Sequence, residues 1–297
     1  MRHAILGAGG VGGLLAAALA SAGEDVVLLV RWRPRGKAIQ PIRLERPHES
    51  IEIPVKVETN LTVPVDVLWV AVKTHHLVTA LRIISPTVEI GSIVPLLNGI
   101  EHISLLRSRF THDQVIPATI LVSSERISPG RIVQHSPFAR IAISTVAEQR
   151  WGSVVARLQS VGLSFEFTTD EKTMLWRKLA LLAPLALTGA ASGLDKEGVF
   201  AHTFWRERLE SALEEVCSVA LADGATVERS EILTGIRGMP PGMRSSLQKD
   251  VWSRVTPELD GIGGAIVRIG RQNKIDTPVV RELVAEIEEL VRTGVPS

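Results

Sequence analysis

Ala4-Ile5-Leu6-Gly7-Ala8-Gly9-Gly10-Val11-Gly12 runs three apolar residues into a glycine-rich turn close to the start of this 297-residue chain. Ala4 to Leu6 has the unbroken apolar character of a strand buried on both faces. Beyond the glycines, Leu14 to Ala22 is small, apolar and helix-forming, and Asp25 to Val30 is a second strand of the same kind. Val67 to Val72 and Ile93 to Leu97 repeat the signature, each followed by a helical segment, and Val115 to Val122 is a further candidate strand. Strand and helix alternating in this way predict a doubly wound, mostly parallel α/β sheet.

Gly7, Gly9 and Gly12 satisfy the spacing G-x-G-x-x-G, with Ala8, Gly10 and Val11 between them. The first glycine makes a tight turn, the second lets backbone approach a pyrophosphate, and the third lets helix and strand pack closely. Unpaired N–H groups at the start of the following helix then point at phosphate oxygens. Glycine-rich turns are common, and an ordinary strand-to-helix turn would look similar. Here a strand precedes the pattern, a small-residue helix follows, and the next strand ends at the expected distance, so the reading is a dinucleotide-binding Rossmann domain. At the end of the second strand an acidic residue would select NAD by accepting from the ribose 2′-hydroxyl. The chain has Arg31 there, followed by Arg33, Arg35 and Lys37. A guanidinium pairs with a 2′-phosphate that a carboxylate would repel, so NADP(H) is the expected cofactor.

After Ser123 the texture changes: Ser128-Pro129-Gly130 is a turn between two β-rich runs, Glu125 to Ile127 and Arg131 to Gln134, predicting antiparallel strands. From Thr169 the sequence reads as all-α, with a helix capped by Thr169 or Asp170 and running through Leu182. Further helices follow over Phe200 to Ala222, Leu259 to Gln272 and Pro278 to Val291. Residues 1–168 are therefore assigned to the NADP-binding Rossmann domain and 169–297 to a helical catalytic and substrate domain. The apolar stretch Leu179 to Leu194 contains Pro184, Gly189 and Gly193 and is shorter than the roughly 20 residues of a membrane span. It reads as a buried core helix. A net charge of +1 gives no general attraction to nucleic acid or anionic membrane. The single cysteine, Cys217, lies in an apolar helical run and reads as a small core hydrophobe, which fits a reducing, cytoplasmic setting.

Several residues carry chemistry with a structural alternative beside it. Lys178 stands at the edge of the apolar helix, where burial can lower an ammonium's pKa and make it a proton donor. Periodicity alone favours a lysine that merely snorkels over the helix. Glu258 could be a first-turn carboxylate, and Asn98-Gly99 is a natural turn pair. His75 and His76 read as a solvated helix start. No His, Cys, Asp and Glu set has metal-ligand spacing, so no metal site is expected.

Taken together, the glycine motif with Arg31, Val72-Lys73-Thr74, Leu97-Asn98-Gly99, Trp176-Arg177-Lys178-Leu179, and Ser245-Ser246 followed by Pro257-Glu258-Leu259-Asp260 resemble the ketopantoate reductases over nearly the whole chain. These enzymes reduce a 2-oxo acid with NADPH. The resemblance implies Lys178 as general acid, with Glu258 helping to hold lysine and substrate. It implies Ser246 as a substrate ligand, Asn98 near nicotinamide and substrate, and Lys73 on the cofactor side. It also implies ketopantoate reduction in pantothenate biosynthesis, a small-molecule 2-oxo acid as partner, and no nucleic-acid or membrane partner; a homodimer is left open. Two departures stand out. The family's asparagines four and eight residues after the lysine are Leu182 and Ala186 here. The threonine before the glutamate is Pro257, and the asparagine of the following I-N-G segment is Gly263. A more apolar keto substrate is therefore the alternative. A catalytically silent NADP(H) sensor is the other, and the presence of both Lys178 and Glu258 speaks against it.

Overall fold

The computed structural model describes residues 1–31 and 38–295. Arg33, Arg35 and Lys37 lie outside the described residues. The chain divides into two compact units, one of Met1–Leu97 with His102–Met174, the other of Asn98–Glu101 with the chain from Leu175 onward.

The first unit carries β1 (Arg2–Leu6), α1 (Gly10–Ser21), β2 (Asp25–Leu29), β3 (Ile39–Glu45), β4 (Ser50–Glu58), β5 (Val65–Val70), α2 (Leu77–Ala80), β6 (Ile90–Pro95) and α3 (His102–Arg109). It continues with β7 (Ala118–Leu121), β8 (Ser124–Ser128), β9 (Arg131–Gln134), β10 (Ala139–Ser144), α4 (Val146–Ser160) and β11 (Leu163–Thr168). Eight strands form one sheet in the order β6-β5-β1-β2-β4-β3-β9-β8. The strands from β6 to β4 in that order pair in parallel. The unbroken apolar runs divide by period two between the sheet's faces. Ile5, Leu28 and Trp69 pack into one layer with Leu14, Leu15 and Leu19 of α1, while Ala4, Leu6, Leu29, Leu68 and Val70 pack into the other. Helix α1 is apolar all round because it is buried all round, from Gly12 to Leu19.

The expected antiparallel pair after Ser123 is present as β8 and β9, which join the far edge of this sheet. The strand expected over Val115 to Val122 is the shorter β7, and it belongs to a separate sheet, β11-β10-β7. The hairpin β3–β4 was not anticipated from sequence: Pro41 and Pro54 face each other in its register and disguise the alternation Ile51, Ile53, Val55, Val57.

The second unit is helical: α5 (Glu171–Ser192), which begins in the first unit, then α6 (Lys196–Ala201), α7 (Thr203–Ala222), α8 (Arg229–Arg237), α9 (Ser246–Trp252), α10 (Ala265–Gln272) and α11 (Pro278–Thr293). Its core gathers Trp176, Leu179, Ala183 and Leu187 of α5 with Leu209, Leu213 and Val216 of α7 and Val280, Leu283 and Ile287 of α11. Asp170 caps α5, its Oδ1 accepting from the Thr173 N–H at 2.9 Å. The helix does not end at Leu182 as the sequence suggests; it continues to Ser192 with Pro184 inside it. A proline removes one backbone donor from the helix, and four residues on Thr188 Oγ1 donates to the Pro184 carbonyl at 2.7 Å. By length and composition α5 could cross a membrane, but 72% of its apolar window is buried inside the protein, as in a core helix. The helix expected over Phe200 to Ala222 is divided at His202, whose backbone is extended, and that over Leu259 to Gln272 opens with a π-helical turn, Asp260–Gly264.

Candidate active site

In the first unit the chain leaves the carboxyl ends of the parallel strands β1, β2, β5 and β6 along one edge. Between β1 and β5 the strand order reverses, which makes this edge the switch point where open α/β sheets bind ligands. Gly7 follows β1 with φ +115°, and a Cβ there would lie 2.7 Å from the Ala71 carbonyl oxygen. A Cβ on Gly12 would lie 1.8 Å from the Gly7 oxygen, so the first turn of α1 closes only over glycine. Gly10 is equally constrained: its Cβ would meet the Ser124 carbonyl at 2.3 Å, and Ser124 Oγ donates to the Gly10 oxygen. That requirement was not legible in the motif, where Gly10 fills a variable position. Gly9 differs from these three. It stands at the N-cap of α1, a Cβ there would meet nothing within 4 Å, and no side chain caps the helix. A loop that is tight behind and open in front, with uncapped N–H groups at its rim, fits a dinucleotide pyrophosphate.

Arg31 is exposed just beyond β2. Lys73 is half-buried after β5, and its carbonyl accepts from the His76 N–H at 2.8 Å. The rings of His75 and His76 meet edge to face, 4.2 Å apart, with His75 exposed.

In the second unit three of the sequence-assigned residues come together. Trp176 is fully buried and donates through Nε1 to Asp223 at 2.9 Å, which fixes the start of α5. Arg177 turns outward to Glu231 and Leu179 inward to the core, leaving Lys178 half-buried between them. Burial lowers its pKa to about 8, opposed by the negative charge of Glu258, which raises it. Glu258 is buried and its Oε2 accepts from Asn98 Nδ2 at 3.2 Å. An ammonium weakened as a base, beside an anchored carboxylate, is a group able to give up a proton near neutral pH.

Sequence reasoning missed what surrounds this cluster. Gly99, with φ +81°, lies so close to the π-helical turn that a Cβ would be 2.2 Å from the Gly261 oxygen. Arg268 reaches Glu101 on one side and Asp260 on the other. No local signal could have found the pairing, since Glu101 and Arg268 are 167 positions apart in the chain.

Ser246 opens α9 and is exposed, while the N-cap is its neighbour Ser245, which accepts from the Gln248 N–H. Leu182, one turn after Lys178, is half-buried, whereas Ala186 is 2% exposed and part of the helical core. A side chain on Gly263 would meet Val284 at 2.4 Å and Leu187 at 3.1 Å. Cys217 is buried, and burial pushes its thiol up to about 11, as expected of a core hydrophobe. Among the described residues, no group of three or more His, Cys, Asp and Glu side chains is placed to hold a metal ion.

A dinucleotide loop on a doubly wound sheet and a lysine–carboxylate cluster on a helical unit define a pyridine-nucleotide oxidoreductase acting on CH–OH donors. Residues 3–148 match the family Ketopantoate reductase PanE/ApbA, and residues 170–291 match Ketopantoate reductase PanE/ApbA C terminal, so the chain belongs to the ketopantoate reductase family. A 2-dehydropantoate 2-reductase of Caulobacter vibrioides is 27% identical over 95% of this chain and 96% of its own. Among solved structures, a PanE/ApbA family ketopantoate reductase from Ralstonia eutropha matches with TM-score 0.87 and 24% identity over 99% of both chains. D-mandelate dehydrogenase with NADH and anilino(oxo)acetate shares the fold, with TM-score 0.87 and 17% identity over 99% of both chains.

Proposed function

We propose that this chain reduces a 2-oxo acid to the 2-hydroxy acid with NADPH, and that its reaction is ketopantoate to pantoate, serving pantothenate biosynthesis in the cytoplasm. The observation that carries this reading is the Lys178 ammonium, held at about 8 by burial and set against the Glu258 carboxylate. The reduced nicotinamide, when bound, supplies hydride to the carbonyl carbon. Lys178 passes its proton to the carbonyl oxygen as negative charge develops there. With a pKa near 8 it is mostly protonated at pH 7 and yet a far stronger acid than an ordinary lysine. Glu258 orients the ammonium, Asn98 holds Glu258 and the reacting end of the substrate, and Ser246 takes the substrate carboxylate. The loop Gly7 to Gly12 with the start of α1 holds the pyrophosphate, and Lys73 serves the cofactor side. D-mandelate dehydrogenase shares the fold and was solved with NADH, so the choice of NADPH rests on Arg31 and not on the architecture.

A second reading keeps chemistry and cofactor but gives the oxo acid an apolar tail, and half-buried Leu182 one turn after Lys178 favours it. NADPH oxidation across a panel of 2-oxo acids that includes ketopantoate tests both, with Lys178→Ala as the control. Turnover of none of them, or full turnover by Lys178→Ala, sinks the reading.

A further inference from the structure

The two side chains that flank Lys178's chemistry come from distant parts of the chain, and something must keep them in register. Asn98 belongs to the short segment Asn98–Glu101, and Glu258 lies two residues before the π-helical turn Asp260–Gly264. One guanidinium holds both segments. Arg268 donates through Nε to Glu101 Oε1 at 3.0 Å and through Nη2 to Glu101 Oε2 at 2.6 Å. Its Nη1 donates to Asp260 Oδ1 at 2.5 Å, and its Nη2 also reaches Asp260 Oδ2 at 3.2 Å and the Asp260 carbonyl at 3.1 Å. The two carboxylates use the guanidinium's planar fork, a geometry a lysine cannot reproduce.

Two glycines make room for this arrangement. A Cβ on Gly264 would lie 2.7 Å from Asp260 Oδ1 and 3.1 Å from Arg268 Nη1. Gly99 brings its own backbone against the Gly261 carbonyl, where a Cβ would lie 2.2 Å from that oxygen. The clamp, this backbone contact and the Asn98–Glu258 hydrogen bond all join the same two stretches of chain, residues 98–101 and 258–264. Arg268 and Glu101 each keep about 40% of their side-chain surface exposed (41% and 40%), and exposed ion pairs contribute little to stability. Four such bonds converging on the two segments that carry the site therefore point to registration and not to fold stability.

We propose that Arg268 is a positioning residue: by bridging Glu101 and Asp260 it holds Asn98 against Glu258, and through them sets the substrate's orientation toward Lys178. This rests on the assignment of Asn98, Glu258 and Lys178 made above. The test is a double-mutant cycle in kcat and KM on the intact enzyme, using the 2-oxo acid that wild type turns over best. Arg268→Ala is expected to raise KM about tenfold with kcat changed about threefold or less, because it loosens a binding geometry and removes no reacting group. Asn98→Ala/Arg268→Ala is expected to match Asn98→Ala within about twofold, since both changes break one unit. Arg268→Lys, which can hold one carboxylate, is expected to fall between wild type and Arg268→Ala, with melting temperatures close to wild type throughout. Multiplying losses in the double mutant, or unchanged kinetics in Arg268→Ala, overturn the proposal. If Arg268→Ala does not fold, Glu101→Gln and its pairing with Asn98→Ala carry the same cycle. An Asn98→Ala enzyme with wild-type kinetics would overturn the assignment of Asn98 and this proposal with it. Full additivity on top of an Asn98→Ala loss would overturn this proposal alone.

Discussion

Asn98 donates through Nδ2 to Glu258 Oε2 at 3.2 Å, joining residues 160 positions apart in the chain. Burying a carboxylate is costly unless its charge is paired and its oxygens are hydrogen-bonded. Glu258 is 9% exposed, and it meets both conditions with an amide donor from Asn98 and an ammonium beside it at Lys178. The negative charge of Glu258 is what opposes the fall in the Lys178 pKa.

The pH dependence of turnover follows from that pair. Lys178 must be protonated to act as an acid, and its pKa is brought down to about 8, so kcat/KM should fall above about pH 8. Glu258 raises that pKa, so Glu258→Gln should move the basic limb to lower pH, by about one unit. Lys178→Ala should lower kcat by roughly two to four orders of magnitude and abolish this limb. A basic limb that stays in place in Glu258→Gln would show that the two groups are not coupled.

The glycine loop separates structural from ligand-facing requirements. Gly12→Ala puts a Cβ 1.8 Å from the Gly7 oxygen, so it should destabilise the first unit by about 1–3 kcal/mol or more. Gly9→Ala meets nothing within 4 Å and should leave the melting temperature near wild type. Its methyl would occupy the space assigned to the pyrophosphate, so dinucleotide affinity should fall about tenfold or more, about 1.4 kcal/mol at the least. Thermal melts and calorimetric titration with NADPH check both. Unchanged affinity in Gly9→Ala would move the phosphate site elsewhere.

How far the sequence spoke for the fold depends on how each element buries its apolar residues. Strands such as Ala4–Leu6 and Val67–Val70 are buried on both faces and announce themselves as unbroken runs. In β3 and β4 half the residues face solvent and Pro41 opposes Pro54, so both signals fade together. Helix α5 was read short because proline is a local stop signal, whereas the packing of Leu185, Ala186 and Leu187 into the helical core is a tertiary effect. At the site, periodicity alone favoured a snorkelling Lys178, and it was the family resemblance that picked out Lys178, Asn98 and Glu258, which the fold brings together. The pairing of Glu101 with Arg268 joins residues 167 positions apart, and no local pattern marks it.

The proposed preference for NADPH rests on Arg31, exposed after β2 where an acid would disfavour a 2′-phosphate. A charge-assisted contact contributes about 1.5–3 kcal/mol, so Arg31→Ala should weaken NADPH roughly ten- to hundredfold and leave NADH nearly unchanged. Equal affinities of the wild type for the two cofactors would show that Arg31 does not read the phosphate.

Substrate choice can be tested at one position. Leu182 and Ala186 stand where the resemblance to the family leads one to expect asparagines, but the structure gives them different surroundings. Ala186 is 2% exposed within the helical core, so Ala186→Asn would force an amide into packed hydrocarbon. Gly263 is also closed, since any side chain there meets Val284 and Leu187. Leu182 is half-buried and follows Lys178 by one helical turn, on the same face of a helix that runs unbroken through Pro184. It is therefore the position at which an amide can be restored without overpacking. On the reading that Leu182 lines the substrate pocket, a leucine there leaves a substrate hydroxyl without a partner, at a cost of about 1–3 kcal/mol. The second reading, an oxo acid with an apolar tail, therefore predicts that wild type prefers a branched 2-oxo acid without a hydroxyl over ketopantoate in kcat/KM, and the first reading predicts the reverse. Leu182→Asn should shift that ratio toward ketopantoate by about tenfold or more, with a melting temperature close to wild type. A wild type that favours ketopantoate tenfold, with a ratio that Leu182→Asn leaves unchanged, would mean that Leu182 does not line the substrate pocket and that the contacts to the hydroxyl come from other residues.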